Sequence, residues 1–139
     1  MWSVGETVNL GTMQLSREQI VRYAGASGDF NPIHYDEDRA RGFGLPGVIA
    51  HGMLSMGVLA RLIGQAVPPG SRIERYGVRF RAMVRPQEVL TATARVISVD
   101  GAGRAVLDLV LRHDDGRIAV SGETVLTPLA QKSATEGER

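Results

Sequence analysis

The sequence predicts an α+β fold in which an antiparallel sheet wraps one long central helix, and three features predict it. Gly52 to Val67 is an apolar run long enough for about four helical turns, closed by Pro68-Pro69-Gly70. From Arg75 onward the period drops to two, as in half-buried strands. Asp100-Gly101-Ala102-Gly103 and Asp114-Asp115-Gly116 then supply hairpin turns, so the strands run antiparallel. A helix segregated from such a sheet makes a layered α+β domain, and a twisted sheet curls around the helix it covers.

Taken in order, Thr7 to Gln14 alternates weakly and reads as an edge strand that Gly5 and Gly11 bracket or interrupt. Ser16 with Gln19 three residues later is a capping-box pattern. The helix it opens carries Ile20, Tyr23 and Ala24 on one face and stops near Gly25 or Gly28. A loop containing Asp29 and His34 follows. Asp36 opens a short helix to Arg41, ended by Gly42 and Gly44, and Leu45-Pro46-Gly47 is a turn. The long helix from Gly52 is apolar nearly all round, which predicts burial on most sides. One sheet does not cover every side of it, so a partner chain is expected.

Tyr76, Val78, Phe80 and Ala82 alternate with Arg75, Gly77, Arg79 and Arg81 in the next strand. Val89 to Val99 is rich in Thr and Val and reads as a long strand, Arg104 to Arg112 as its partner, and Ile118 to Leu126 as the last strand. Residues 131–139 are polar, without apolar periodicity, and are expected to be a disordered tail behind a single domain of residues 1–130.

Composition narrows the function. With 43% hydrophobic and 22% charged residues, the 139-residue chain is an ordinary globular sequence long enough to bury a core. Sixteen basic against 15 acidic residues leave a net charge of +1, which does not suggest nucleic-acid or membrane binding. The absence of cysteine excludes disulfides, thiolate metal sites and thiol nucleophiles. The amino terminus has no basic region followed by an apolar run, so no signal peptide is expected and the cytoplasm is the default compartment.

Chemistry concentrates in two stretches. Asp29-Phe30-Asn31-Pro32-Ile33-His34 places a carboxylate and an imidazole on a loop that Pro32 stiffens by fixing its own φ and holding Asn31 extended. Such a pair can serve as acid and base near neutral pH; equally, Asp29 could cap a helix and His34 pack in the core. Gly52 opens the long helix, where backbone N–H groups are free and the helix dipole is positive. A glycine there admits a developing oxyanion, or simply packs tightly against the sheet. His51 beside it reads as a hydrogen-bonding structural residue outside the catalytic set. Arg72, Arg75, Arg79, Arg81 and Arg85 fit either a solvated sheet edge or a docking site for the phosphates of a carrier. The three histidines lack the i, i+4 spacing of a helical metal site, and neither a phosphate-cradling glycine loop nor a hydrolase serine motif is present.

Ser27-Gly28-Asp29-Phe30-Asn31-Pro32-Ile33-His34, followed by Ala40, resembles the signature of the MaoC-like dehydratases, the (R)-specific enoyl-CoA hydratase or hydratase 2 family. Ala50-His51-Gly52-Met53 is similar to the start of that family's central helix, and the likeness runs from about Val4 to Pro128. The resemblance implies a hotdog fold, a dimer joined sheet edge to edge, and reversible hydration of trans-2-enoyl thioesters to (R)-3-hydroxyacyl thioesters. It implies Asp29 and His34 as the catalytic acid/base pair, the Gly52 amide as oxyanion donor, and Asn31 as support for the loop. Some members carry a serine about two turns into the central helix where this chain has Ala60, so any support from that hydroxyl is missing or moves to Ser55. No metal or other cofactor is expected; the substrate would be carried on coenzyme A or acyl carrier protein. Its acyl chain is expected along the central helix, beside some of Leu54, Met56, Val58 and Leu59. The competing readings are a thioesterase on the same fold and an acyl-binding subunit of a heterodimeric dehydratase.

Overall fold

The computed structural model describes residues 2–129, so the tail expected to be disordered lies outside the described residues. Strand β1 (Thr7–Gln14) leads into helix α1 (Arg17–Ser27), a 3-10 turn (Pro32–His34), helix α2 (Glu37–Gly42) and helix α3 (Gly52–Ala66). Strands β2 (Ser71–Phe80), β3 (Val89–Val99), β4 (Ala105–His113) and β5 (Ile118–Pro128) follow. The five strands form one sheet in the order β1-β3-β4-β5-β2, every neighbour antiparallel. This is the expected α+β hotdog architecture. The strand that leaves the central helix goes to one edge, and the strand that precedes the helices takes the other.

Local chemistry sets the boundaries. Ser16 Oγ accepts from Gln19 N at 3.1 Å while Gln19 Oε1 accepts from Ser16 N at 2.8 Å, so the capping box is closed in both directions. Gly28 ends α1 in the left-handed region at φ 75°. In β1, Asn9 Oδ1 accepts from Gly11 N at 2.9 Å where the pairing with β3 slips, and Gly11 has φ 116°. In the β3–β4 hairpin, Asp100 Oδ1 accepts from both Ala102 N and Arg104 N at 2.9 Å.

The core lies between α3 and the sheet. Leu59, Leu62 and Ile63 pack with Leu90, Ala92, Ala94 and Val96 of β3 and Leu107, Leu109 and Leu111 of β4. Each large helix side chain placed there contributes about 1.5–3 kcal/mol of transfer free energy. The burial on most sides expected of α3 is not met within the chain: only Ser55, Leu59, Leu62 and Ile63 are fully buried, while Met53 is 57% exposed. A single sheet covers one side of a helix, and the opposite face has no cover among the described residues.

The next strand is corrected as well. β2 begins five residues earlier than Tyr76 and ends at Phe80, before Ala82. None of its residues is fully buried, because it is an edge strand paired on one side only. What holds it to the helix is specific: Tyr76 Oη donates to the Met56 carbonyl at 2.7 Å, and burial pushes that phenol up to about 12. β2 also sits so close to β5 that a side chain on Gly122 would overlap the Gly77 carbonyl. Among the described residues no helix is long and apolar enough to cross a membrane.

Candidate active site

The loop after α1 is shaped by its own short side chains. Ser27 Oγ accepts from Asp29 N at 3.2 Å, and Asp29 Oδ1 accepts from Asn31 N at 3.2 Å. Asn31 Oδ1 then caps the 3-10 turn by accepting from Ile33 N at 3.3 Å, with Pro32 at the first turn position where no N–H is needed. One carboxylate oxygen of Asp29 is thus used to fold the loop. The other, Oδ2, faces His34 Nε2 at 3.7 Å. Asp29 is about half exposed (52%), whereas His34 is buried.

The tautomer of His34 follows from its other contact. Nδ1 lies 2.8 Å from the Ile49 carbonyl, which can only accept, so Nδ1 carries the proton. In the neutral ring, Nε2 therefore presents a lone pair toward the Asp29 carboxylate. Two acceptors at 3.7 Å do not hydrogen-bond directly; a single proton-bearing molecule can serve both.

His51, set aside in the sequence, stands at the centre of this group. It is the N-cap of α3 without a side-chain cap of its own. Its ring stacks on His34 with centroids 3.6 Å apart at 21°, and Tyr23 of α1 meets it edge-on at 4.8 Å. Nε2 lies 3.1 Å from the Asp29 carbonyl and must donate to it, which in the neutral ring leaves Nδ1 unprotonated, buried and without a partner among the described residues. Burial pushes the His51 imidazole below its usual pKa, the Asp29 carbonyl contact opposes this, and His34 adds to the lowering. The signal in the sequence was its place at a helix start beside glycine, but the contact spans 22 residues and needs the fold to appear.

Gly52 follows immediately. Leu54 N and Ser55 N donate to the His51 carbonyl at 3.1 and 3.3 Å, whereas the Gly52 N–H meets no acceptor among the described residues. The Phe80 ring at the end of β2 lies over this glycine: a Cβ on Gly52 would stand 3.1 Å from it. A cavity of about 600 Å³ opens beside the pair, lined by Ile49, Gly52, Ser55, Phe80, Met83 and Val84 among others, with Arg81, Arg85 and Arg117 also on its walls. Ser55 is buried and belongs to this wall, whereas Asp29 and His34 approach the helix start without lining the cavity. The side chains expected along an acyl chain lie apart from this cavity. None of Leu54, Met56, Val58 and Leu59 borders the cavity; Leu59 is in the core and Leu54 and Val58 pack against it.

The arginine row divides. Arg75 pairs with Glu123 at 3.1 Å, Arg81 Nε donates to Ser121 Oγ at 2.9 Å, and Arg75, Arg79 and Arg81 share a surface groove over β2. The carboxylate and the two imidazoles put ligand atoms within 4.8 Å of one another. Metal ligation along ring lone pairs requires an ion in the plane of each imidazole. The near-parallel stacking of His34 on His51 gives the two rings no common point of that kind, so these residues do not suit one shared ion as they stand.

Comparison with known proteins places the chain among relatives of the same fold. Residues 2–108 match the family described as MaoC like domain. An (R)-specific enoyl-CoA hydratase of Rhodospirillum rubrum is 34% identical over 116 residues, covering 82% of this chain and 81% of that protein. The 3-hydroxyacyl-thioester dehydratase X of Mycobacterium tuberculosis is 38% identical over 101 residues, 73% of this chain but 33% of that protein. Among solved structures, an (R)-hydratase from A. caviae superposes with a TM-score of 0.83 at 28% identity, over 91% of this chain and 97% of that one.

The lowered pKa of His51 has a signed consequence for stability. The unfolded chain binds a proton at this residue near pH 6.5 while the folded chain resists it. The contribution is therefore whole above that pH and is lost as pH falls below it. Thermal unfolding of wild type and His51→Gln from pH 8 to pH 5 should show the wild type losing more stability on acidification. Parallel curves for the two proteins would remove this assignment.

Proposed function

Because the chain belongs to the MaoC-like dehydratase family, we propose that it is a hydro-lyase that reversibly adds water to trans-2-enoyl thioesters, giving (R)-3-hydroxyacyl thioesters. The observation that carries the reading is the pair of acceptors Asp29 Oδ2 and His34 Nε2, 3.7 Å apart, joined through His51 to the unpartnered Gly52 amide.

In the hydration direction one water donates a proton to each acceptor, leaving its oxygen lone pair toward C3 of the enoyl group. Attack at C3 transfers a water proton to His34 and moves charge onto the thioester oxygen. The Gly52 N–H, at the positive end of α3, stabilises that enolate. A proton then passes to C2 on the same face from the imidazolium or by way of Asp29. Both protons and the oxygen of the water are accounted for, and no redox equivalent is consumed. Asn31 supports the carboxylate through the loop, and Ser55 supports the cavity wall below the amide. The apolar lining takes the acyl chain, and arginines at its walls and over β2 suit the phosphates of a carrier, coenzyme A or acyl carrier protein. The reading includes a homodimer joined at sheet edges, which would cover the exposed face of α3; a heterodimer with a related chain would cover it as well.

Three outcomes test the reading. With crotonyl-CoA, the wild type should remove the conjugated absorbance without releasing free thiol, and Asp29→Asn and His34→Ala should each lose at least ~100-fold in turnover. Thiol release would indicate a thioesterase instead, and near wild-type turnover in either variant would count against its role. For the amide, Gly52→Pro is the informative change. His51 is extended at φ −61°, ψ 133°, as a residue before proline must be, and proline is tolerated at the first helical position. Relative to Gly52→Ala, which also meets Phe80, the proline variant should lose a further ~100-fold or more; equal activity would dismiss the oxyanion donor. Sedimentation of the full chain should give the mass of two copies, and a monomer active on its own would exclude the dimer.

A further inference from the structure

The segment 49–51 runs beside the loop 29–34 and is fastened to it at four points. His34 Nδ1 donates to the Ile49 carbonyl at 2.8 Å and Ile49 N donates to the Ile33 carbonyl at 3.1 Å. His51 Nε2 donates to the Asp29 carbonyl at 3.1 Å, and the two imidazoles stack. Ala50, between them, donates its N–H to the Val84 carbonyl at 2.7 Å and so ties the same segment to the strand side.

The choice of histidine at position 51 is costly in this setting. Its Nδ1 is a buried acceptor with no partner among the described residues, and leaving such an atom unsatisfied is destabilising. A phenyl ring would stack on His34 and meet Tyr23 edge-on without that cost. What a phenyl ring lacks is the N–H directed at the Asp29 carbonyl. That bond is the one side-chain hydrogen bond His51 makes among the described residues.

We propose that His51 is a positioning residue of this site: its Nε2–H fixes the Asp29 backbone to the first turn of α3 while its ring backs His34, so that carboxylate, imidazole and Gly52 amide are held in one rigid set. The inference rests on the reading of Asp29, His34 and Gly52 given above and adds to it a residue that touches none of the reacting atoms. The titratable groups facing His51 are Tyr23 from α1, Asp29 from the loop and His34 from the 3-10 turn. Its burial favours the neutral ring, and only a neutral ring of this tautomer leaves Nδ1 bare while Nε2 donates.

Two substitutions separate the N–H from the ring. His51→Phe keeps the stack and removes the donor; His51→Gln keeps a donor near the position of Nε2 and removes the ring. With crotonyl-CoA, His51→Phe should lower kcat by ~10- to 100-fold with KM changed less than about threefold, the signature of displaced groups rather than lost binding. His51→Gln should recover at least about half of that loss on a logarithmic scale, as expected for restoring a positioning hydrogen bond. A folded His51→Phe with wild-type kcat overturns the proposal, and so does a change in KM alone. Nitrogen NMR of the wild type gives a readout that needs no activity and no variant: His51 should be the Nε2–H tautomer at pH 7. An Nδ1–H tautomer overturns the proposal even if the enzyme is an active hydratase. A wild type inactive on every enoyl-CoA, with the Nε2–H tautomer in place, would instead sink the functional reading and leave the clasp standing.

Discussion

Leu59, Leu62 and Ile63 anchor one stripe of α3 in the sheet, and the position of the helix start follows from that anchorage. A helix seated by its middle and far end has a first turn that cannot drift. The free N–H groups there are consequently fixed relative to β2 on one side and to the loop after α1 on the other. β2 reaches this point through the Tyr76 hydrogen bond to Met56 and the Phe80 ring over Gly52. The loop reaches it through His34 and His51. Each contact is modest alone, and together they work only because the apolar stripe holds the helix still.

The first turn of α3 has a particular character as a result. It is positive by dipole, closed toward the sheet by Phe80 and by buried Ser55, and bounded toward α1 by two imidazoles of which one faces a carboxylate. Groups of opposite character, an electrophilic amide and a pair of proton acceptors, thus meet at the same helix end. The loop and the helix end are fastened to each other through His34 and His51, which holds these groups in fixed relative positions.

Much of this was legible in the sequence because it is local. The start of α3 at Gly52, its end before Pro68, the hairpins at Asp100 and Asp114 and the capping box at Ser16 are decided by neighbours a few residues apart. The Asp29–His34 spacing could likewise be read, since Pro32 stiffens the stretch between them. What stayed hidden depends on distant pairings. His51 meets Asp29 across 22 residues, Tyr76 meets Met56 across 20, and Phe80 reaches Gly52 from an edge strand whose exposure no alternation pattern reveals. The helix looked buried on most sides because hydropathy records which side chains are apolar, not how many surfaces the chain itself has to offer them. The cavity was not legible for the same reason: its walls come from the helix start, the end of β2 and the segment after it, not from the helix alone.

The proton positions on both stacked rings are imposed by peptide carbonyls, Ile49 for His34 and Asp29 for His51. Main-chain oxygens survive any exchange of the residues that bear them, provided the backbone path is kept. Side chains at position 49 or around the cavity can therefore change without altering which nitrogen of either ring carries the proton. The proton pattern of the ring pair is thus set by the backbone path and not by the side chains that line the cavity.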